Sequence, residues 1–186
     1  LEASKTLSLT TQTGDINFKT ISLENGHNVN YSGGFNKALD IEHLKATVSA
    51  ENVLIKSGND INLEASKLKA NNQINLNAQN DVNITAVNDV HYTDVQTTSK
   101  GFMSKKTQRD MSYKEEVQSA LLEGKDIVIN GGNDVSLEAS KLYAQNNLIV
   151  NAQNADLNIV AKEYKEGELH STSKSSFGGL KKSLDI

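Results

Sequence analysis

Residues that could perform catalysis or bind a metal are few and scattered in this chain. None of the four histidines has a second histidine or a cysteine within five residues, and metal sites need such clusters. We therefore interpret them as solvated surface residues: His27, His43, His91 and His170. Nucleophile-elbow, Walker, zinc-protease and dinucleotide-binding motifs do not occur. The sequence predicts no catalytic residue, no metal site and no cofactor.

Two weaker signals for chemistry have simpler explanations. Glycosidases use paired carboxylates, but Glu64 and Glu138 occupy equivalent positions in repeated stretches several strand layers apart, which favours solvated outward side chains. The stretch GGNDVSLEA from Gly131 is similar to the calcium-binding nonapeptide of some exported solenoids. That site needs tandem repeats of nine residues, whereas the period here is about 21. Turn chemistry is the better explanation.

A polar, basic stretch is the best candidate for binding. Between residues 87 and 117 the cations surround one aromatic residue: Lys100, Phe102, Lys105, Lys106 and Arg109. Such a run is usually a solvated face, and the functional alternative is contact with an anionic cell-surface polymer such as lipopolysaccharide or glycan. A second basic stretch carries Lys174, Phe177, Lys181 and Lys182. The formal net charge of −4 gives no general attraction to nucleic acid.

The stretches that precede these two basic segments form a sequence repeat. NDINLEASKLKANNQINLNAQNDVNITA, residues 59–86, returns as NDVSLEASKLYAQNNLIVNAQNADLNIVA, residues 133–161, with one insertion near Asp156. LEASK also opens the chain, where Leu1 matches Leu63 and Leu137. This match in mid-repeat predicts that the chain is a segment of something longer, with about five residues of the usual layer missing before Thr6.

A shorter period lies inside the repeat. Val53 aligns with Ile74 and Ile61 with Val82, each 21 residues on. Apolar and polar residues alternate at each of these points, which indicates short half-buried strands. Strands at a fixed spacing, broken by Gly, Asn and Asp, predict an all-β fold: a right-handed parallel β-helix with rungs of about 21 residues.

Stacked rungs predict columns of like residues. Ile61 would lie over Val82 and Leu63 over Ile84 in the interior. In the turns, the same spacing stacks Asn59 on Asn80, Asp60 on Asp81 and Asn133 on Asn154. These asparagines are either solvated turn residues or members of a hydrogen-bonded amide ladder, since Asn bonds neighbouring backbone readily.

The two basic stretches predict hairpin arms on one β-helix segment that spans residues 1–186. The first arm covers residues 87–117 and turns between Gly101 and Lys106. The second, residues 162–186, is truncated before any return strand. TLSLT and INFKTISLE are strand candidates near the start, and residues 31–35 are predicted to form a loop or bulge.

One segment is ambiguous. SYKEEVQSALLEG has a possible helical capping box at Ser112 and Glu115, with Gly124 as the C-cap. SALLEGKDIVING also aligns with SKLKANNQINLNA at a constant offset of 53. We favour strand from about Val117 onward.

The composition agrees with an exported solenoid. Cysteine is absent, which excludes disulfides and thiolate sites. No apolar run approaches the 18 residues of a membrane-spanning helix, and the first residues lack the features of a signal peptide.

The rung motif, followed by a Ser/Thr/Lys-rich arm and then SALLEGKDIVINGGNDVSLEAS, resembles the hemagglutinin repeat of filamentous hemagglutinins and contact-dependent growth inhibition proteins of Gram-negative bacteria. The resemblance covers about Leu44 to the end, and more weakly the first 43 residues. It implies a long exoprotein that is secreted through an outer-membrane partner barrel and displayed as a surface filament. It implies no catalytic residue or cofactor.

Three functional hypotheses follow. The segment is a passive structural shaft, or its arms engage a recipient-cell envelope or surface glycan during toxin delivery across the recipient outer membrane. The third and least favoured hypothesis is a carbohydrate-active enzyme.

Overall fold

The computed structural model describes residues 1–176 and 181–185, and strands and turns make up this part of the chain. The chain divides into two compact units. The coil unit consists of Leu1–Ile21, His43–Val87 and Val117–Glu163. The arm unit consists of Ser22–Glu42, Asn88–Glu116 and Tyr164–Ile186.

The coil unit contains two parallel five-stranded sheets. The first follows the order β1-β5-β7-β11-β13, with strands Thr6–Thr10, Thr47–Ser57, Lys67–Ala78, Leu121–Gly131 and Lys141–Ala152. The second follows the order β2-β6-β8-β12-β14, with strands Ile16–Phe18, Ile61–Glu64, Val82–Thr85, Val135–Glu138 and Leu157–Val160. One strand from each sheet forms a rung, so the five rungs make a parallel β-helix, and the predicted fold class is confirmed.

The predicted interior columns are confirmed. Val53 pairs with Ile74, Ile61 with Val82, and Leu63 with Ile84. Side chains at these and equivalent positions are fully buried: Ile55, Ile61, Leu63, Leu68, Ile74, Leu76, Ile84, Leu122, Ile127 and Ile129. Burial of each contributes roughly 1.5–3 kcal/mol, so stacking holds the coil together without a separate globular core.

The long strands bend where the alternation of buried residues slips. In β5 the inward residues are Val48 and Ala50 and then Val53 and Ile55, with two partly exposed residues between them. The neighbouring β7 holds one extra residue at this corner.

A local helix is ruled out, because residues 112–118 belong to an arm strand and Leu121 begins β11.

The predicted constant offset of 53 is wrong at the start of β11. From Asp126 onward the offset holds, but Leu122 pairs with Leu68, one residue beyond it. The shift occurs because β7 has three residues at the corner where β11 has two, Gly124 and Lys125. It brings Leu122 into the buried column.

The predicted alignment of LEASK at the chain start is also wrong. The Leu1 carbonyl accepts a hydrogen bond from Ser49 N–H at 2.9 Å, and Glu2 bridges to Ser49. Leu1 therefore lies beside the start of β5 and does not occupy the position of Leu63. This register follows from the pairing of Thr6 with Asn52. The residues before Thr6 must run alongside the first part of β5, which begins at Thr47.

Hydrogen-bonded ladders run along the turns, but neither predicted asparagine pair is joined through its side-chain amides. Asn80 stacks on Asn59 through a backbone hydrogen bond of 3.1 Å, while its amide donates to Asp60 at 2.8 Å. The Asn133 amide donates to Asn80, and the Asn154 amide donates to the Gly132 carbonyl. The acidic members form one column in which a carboxylate oxygen accepts the backbone N–H of the next aspartate: Asp15, Asp60, Asp81, Asp134 and Asp156.

A second amide ladder lies on the outer face of the shorter sheet. The Asn62 amide donates to Asn17 at 2.9 Å, and the Asn83 amide donates to Asn62 at 3.0 Å. In both ladders the later rung donates and the earlier rung accepts.

Gly132 explains the GGND sequence through stacking. A Cβ at this position would lie 1.9 Å from the Gln79 carbonyl oxygen of the rung below, which no side chain tolerates. Gly58 meets the Gln12 carbonyl in the same way. These glycines therefore allow close approach of successive turns.

The arm unit is an antiparallel sheet made from three hairpins, in the order β16-β15-β10-β9-β4-β3. Its strands are Ile21–Tyr31, Gly34–Leu44, Val87–Gly101, Ser104–Gln118, Glu166–Ser176 and Lys181–Asp185, numbered β3, β4, β9, β10, β15 and β16.

The arm unit differs from the sequence prediction in two respects. The hairpin of β3 and β4 is an additional arm, and the residues predicted as a loop, 31–35, hold its turn. The last arm returns as β16, which pairs with β15.

Candidate functional site

The arm sheet is held by charged side chains that face each other across neighbouring strands. Asp40 of β4 pairs with His91 of β9, and the Asp40 carboxylate lies 2.9 Å from His91 Nδ1. Asp110 of β10 pairs with His170 of β15 at 2.8 Å. The interpretation of these two histidines as merely solvated is therefore corrected, because strand pairing gives each a carboxylate partner.

The carboxylates favour the protonated form of these two histidines. The hydrogen bond to Asp40 raises the pKa of His91, and the hydrogen bond to Asp110 raises the pKa of His170. His27 lies on the first hairpin, where its Nε2 is 3.1 Å from the Asn36 side-chain oxygen. Within residues 1–176 and 181–185, none of these pairs belongs to a group of three ligating side chains that could hold a metal ion.

Arg109 does not belong to the exposed basic surface that the sequence predicts. Its guanidinium donates two hydrogen bonds to Asp94, both 2.8 Å, and Asp94 also accepts from the Tyr92 hydroxyl at 3.2 Å. The Asp94 side chain is 3% exposed and that of Arg109 is 40% exposed. Arg109 also lies 5.8 Å from the centre of the Phe35 ring. This residue ties three strands together.

The Arg109 pair shifts the ionisation of its neighbours. The hydrogen bonds from Arg109 lower the pKa of Asp94 against the opposing effect of burial. Burial and the adjacent Asp94 raise the pKa of Tyr92. Asp94 is therefore a charged structural group at neutral pH.

The two equivalent glutamates of the coil unit are bonded separately. Glu64 accepts hydrogen bonds from the backbone and hydroxyl of Thr20, and the hydroxyl bond lowers the Glu64 pKa. Glu138 accepts from Lys162 at 3.1 and 3.2 Å. The sequence correctly predicts equivalent positions, but these carboxylates are not simply solvated, and each has its own local partner.

The other predicted contact residues lie at the tip of the second hairpin. Lys100 is near the end of β9, and Lys105 and Lys106 begin β10. The turn between the strands holds Phe102, which is 96% exposed, and Met103, whose φ of 58° is unusual for a residue with a side chain. The structure therefore brings together four of the five predicted residues.

Strand pairing adds a residue from the third hairpin to this tip. Lys174 of β15 stands directly opposite Lys106 of β10. The sequence contains one hint, since both arms carry the tripeptide TSK. The predicted second aromatic anchor, Phe177, lies outside the described residues.

An open cleft of about 950 Å³ lies at the tips of these hairpins. Its lining consists of lysines, serines and one glycine: Ser99, Lys100, Gly101, Ser104, Lys105, Lys106, Lys174, Ser175, Ser176 and Ser183. No carboxylate belongs to the described lining. This arrangement offers cations and hydroxyl donors to an anion.

A metal-binding group and a membrane-spanning helix are both absent from residues 1–176 and 181–185. No three His, Cys, Asp or Glu side chains come together in a group that could hold a metal ion. No helix in these residues has the length and apolar character needed to cross a membrane.

The hemagglutinin repeat family matches the chain twice, over residues 1–102 and 99–185. Each match includes coil strands and arm strands. No curated protein and no solved structure matches the chain.

Proposed function

Because the chain belongs to the hemagglutinin repeat family, we propose that it is a non-catalytic segment of a bacterial surface filament that acts in cell-envelope contact or toxin delivery. The family occurs in secreted, surface-associated proteins of the filamentous hemagglutinin type. In this proposal the parent protein leaves a Gram-negative cell through an outer-membrane secretion barrel. Its arms then meet the envelope or a surface glycan of a recipient cell during passage of a toxin across the recipient outer membrane.

One observation supports a contact role over a passive shaft. Three hairpins form a compact antiparallel sheet of their own, whereas the coil unit has its own buried interior. A shaft needs length and rigidity, and stacked rungs supply both. The residues of the buried apolar cluster belong to the coil unit, whereas the tip of the arm sheet gathers lysines without carboxylate neighbours in the described lining.

A passive shaft is the second candidate. Its support comes from the coil unit, where apolar columns and hydrogen-bonded ladders continue from rung to rung. An enzyme is less favoured, because Glu64 and Glu138 are bonded to separate local partners. The family itself is of a structural, adhesin type.

The two candidates differ in what they require of the arms. In the full-length parent, residues 88–116 would be replaced by a short Gly-Ser linker that joins Val87 to Val117. The control is the parent with only the turn residues Phe102 and Met103 exchanged for Asn-Gly, which keeps the hairpin. Surface display, attachment to recipient cells and delivery of the terminal domain would be scored separately.

We expect the deletion to retain display and to lose attachment or delivery, while the control retains display. If all three activities persist in the deletion, the segment is a shaft and the contact role is wrong. If the deletion abolishes display, the arms serve assembly of the filament, which also contradicts the proposal.

A further inference from the structure

Where charged residues face each other in the arm sheet they pair an acid with a base, as in Lys37 with Asp94 and Lys114 with Glu166, but the tip breaks this pattern. Asp110 of β10 faces His170 of β15, which places an acid against a base. Toward the tip of the same two strands, Lys106 faces Lys174. Residues that face each other across an antiparallel pair lie on the same side of the sheet, and like charges in this position destabilise it.

Among the residues that the structure describes, neither lysine of this pair faces a carboxylate across a strand, and neither makes a salt bridge. Lys174 is also paired with Ser183 of β16, so its next neighbour supplies a hydroxyl group. The free protein therefore keeps two positive charges side by side, without internal compensation in the described part.

Further donors surround this pair. Lys100, Ser99, Ser104 and Ser176 line the same cleft. Ser104 faces Ser176 two positions along from the lysine pair, which places both serines on the same side of the sheet as Lys106 and Lys174. Lysine provides a mobile point charge with three donors, and serine provides one hydroxyl donor. The volume of about 950 Å³ is large enough for a sugar that carries a charged group.

We propose that this cleft binds a phosphomonoester on the envelope contacted by the arms, an inference that rests on the proposed function and specifies its ligand chemistry. A phosphomonoester carries about −1.5 to −2 charges at pH 7 and three acceptor oxygens. One such group neutralises both Lys106 and Lys174 and accepts hydrogen bonds from the adjacent serines. A carboxylate or a sulfate monoester carries one charge and leaves one lysine uncompensated.

Matched probes test this chemistry on the full chain. Glucosamine 6-phosphate and glucosamine 6-sulfate differ only in the anionic group, and their binding would be followed by NMR titration at 150 mM salt, where weak surface attraction is screened. Phosphatidylcholine vesicles with phosphatidic acid, a phosphomonoester, are compared with vesicles that carry phosphatidylglycerol, a phosphodiester. The sugar shows whether a soluble ligand suffices, and the vesicles show whether a lipid headgroup is bound.

We expect the phosphate probe in at least one of these forms to bind at least about tenfold more tightly than its matched partner. Its affinity should fall below about pH 6, where the phosphate takes up its second proton. The double variant Lys106→Gln/Lys174→Gln should lose about tenfold in affinity. The matched double variant Lys56→Gln/Lys141→Gln, with the same net charge, should bind like the original chain.

A stability measurement separates a binding role from a structural one. Amide exchange in β10 and β15 of the unliganded Lys106→Gln/Lys174→Gln variant should slow, because the repulsion is removed. Faster exchange would show that the lysines stabilise the sheet, and would overturn the proposal. Equal affinity for the two members of both matched probe pairs, retained affinity in this variant, or no saturable binding of either phosphate probe would overturn it as well.

Failure of this inference differs from failure of the proposed function. If phosphate binding is absent but the deletion of residues 88–116 still abolishes attachment or delivery, only the ligand chemistry is wrong. If phosphate binding holds and the deletion leaves both activities intact, the contact role is wrong.

Discussion

Arg109→Gln should destabilise the arm sheet more than Asp94→Asn, although both substitutions break the same ion pair. The difference arises because the Asp94 side chain is 3% exposed and that of Arg109 is 40% exposed. Without Arg109, a buried carboxylate keeps the hydrogen bond from Tyr92 and the more distant charge of Lys37 on the facing strand. Without the Asp94 carboxylate, the guanidinium can still reach water, and the asparagine amide oxygen can still accept a hydrogen bond.

The expected magnitudes follow from this asymmetry. Removal of one partner of a fully buried pair costs about 3–5 kcal/mol. The exposure of Arg109 reduces that cost, so we expect a loss of about 2–3 kcal/mol for Arg109→Gln and about 1 kcal/mol for Asp94→Asn. The double variant should resemble Asp94→Asn alone, because no uncompensated charge is left buried.

Native-state amide exchange in β9 and β10 measures these losses as free energies of local opening. In the original chain the Arg109 hydrogen bonds lower the Asp94 pKa. Their stabilisation is therefore present above the usual carboxyl pKa near 4 and is lost as the pH falls through the folded value. In Arg109→Gln, burial remains and raises the Asp94 pKa, so acidification from pH 7 toward pH 4 should stabilise the sheet. A loss for Asp94→Asn equal to or larger than that for Arg109→Gln, or an acid-induced loss in the Arg109 variant, would refute this reasoning.

Three further predictions concern the coil unit, the hairpin turn and the histidine pairs. Ile74→Ala should lower the free energy of unfolding by about 2–4 kcal/mol in a denaturant titration, because it opens a cavity in a buried column. Leu54→Ala, on the outer face, should lower it by less than about 1 kcal/mol. Similar losses for the two variants would contradict the buried column. Met103→Gly should stabilise the hairpin by roughly 0.5–1 kcal/mol and slow amide exchange at its tip, because the φ of 58° suits glycine. Faster exchange would show that the methionine side chain makes stabilising contacts at the tip. The Asp40 hydrogen bond raises the His91 pKa, so its stabilisation is present below about pH 6.5 and is lost as the pH rises through the folded value. His91→Gln should therefore flatten the dependence of β4 and β9 exchange on pH between about 6 and 8, and an unchanged dependence would rule out this pair as its cause.

The rungs of the coil unit could be predicted from sequence because each rung lies against another of nearly the same pattern. The alignments of Val53 with Ile74 and of Ile61 with Val82 are the same as the strand pairings. In a stack of this kind the spacing of apolar residues along the chain is also the spacing of contacts between layers. The periodicity of the sequence therefore predicts which strands pair and in which register.

The first hairpin escaped prediction because alternation alone does not identify the sheet to which a strand belongs. INFKTISLE is predicted as one strand, yet Ile16–Phe18 is a coil strand and Ile21 begins the long strand β3 of the arm. The chain changes sheets at Lys19 and Thr20, where two successive polar residues shift the alternation by one position, but a similar slip occurs within the single coil strand β5 and does not by itself mark a change of sheet. The predicted register at the chain start is wrong for a related reason. The residue that lies beside Leu1 depends on how the following strand, β1, pairs with β5.

The partners at the candidate site depend on contacts between distant hairpins. The sequence places four tip residues at the end of one hairpin, since they are close together along the chain. Arg109 is close to them in sequence but reaches Asp94 on the neighbouring strand, and Lys106 meets Lys174 from another hairpin. These pairings follow from the order of hairpins in the arm sheet, which no local pattern encodes.

The uniform direction of the amide ladders has a consequence for how the coil unit assembles. Asn62 donates to Asn17 and Asn83 donates to Asn62, so each completed rung presents a side-chain oxygen acceptor to the segment that follows it. A chain that folds from its N-terminus thus carries, at every stage, a template for the next turn of the helix. Each rung that adds to this template gains hydrogen bonds and buries apolar side chains, so the coil lengthens rung by rung from the end that is already folded.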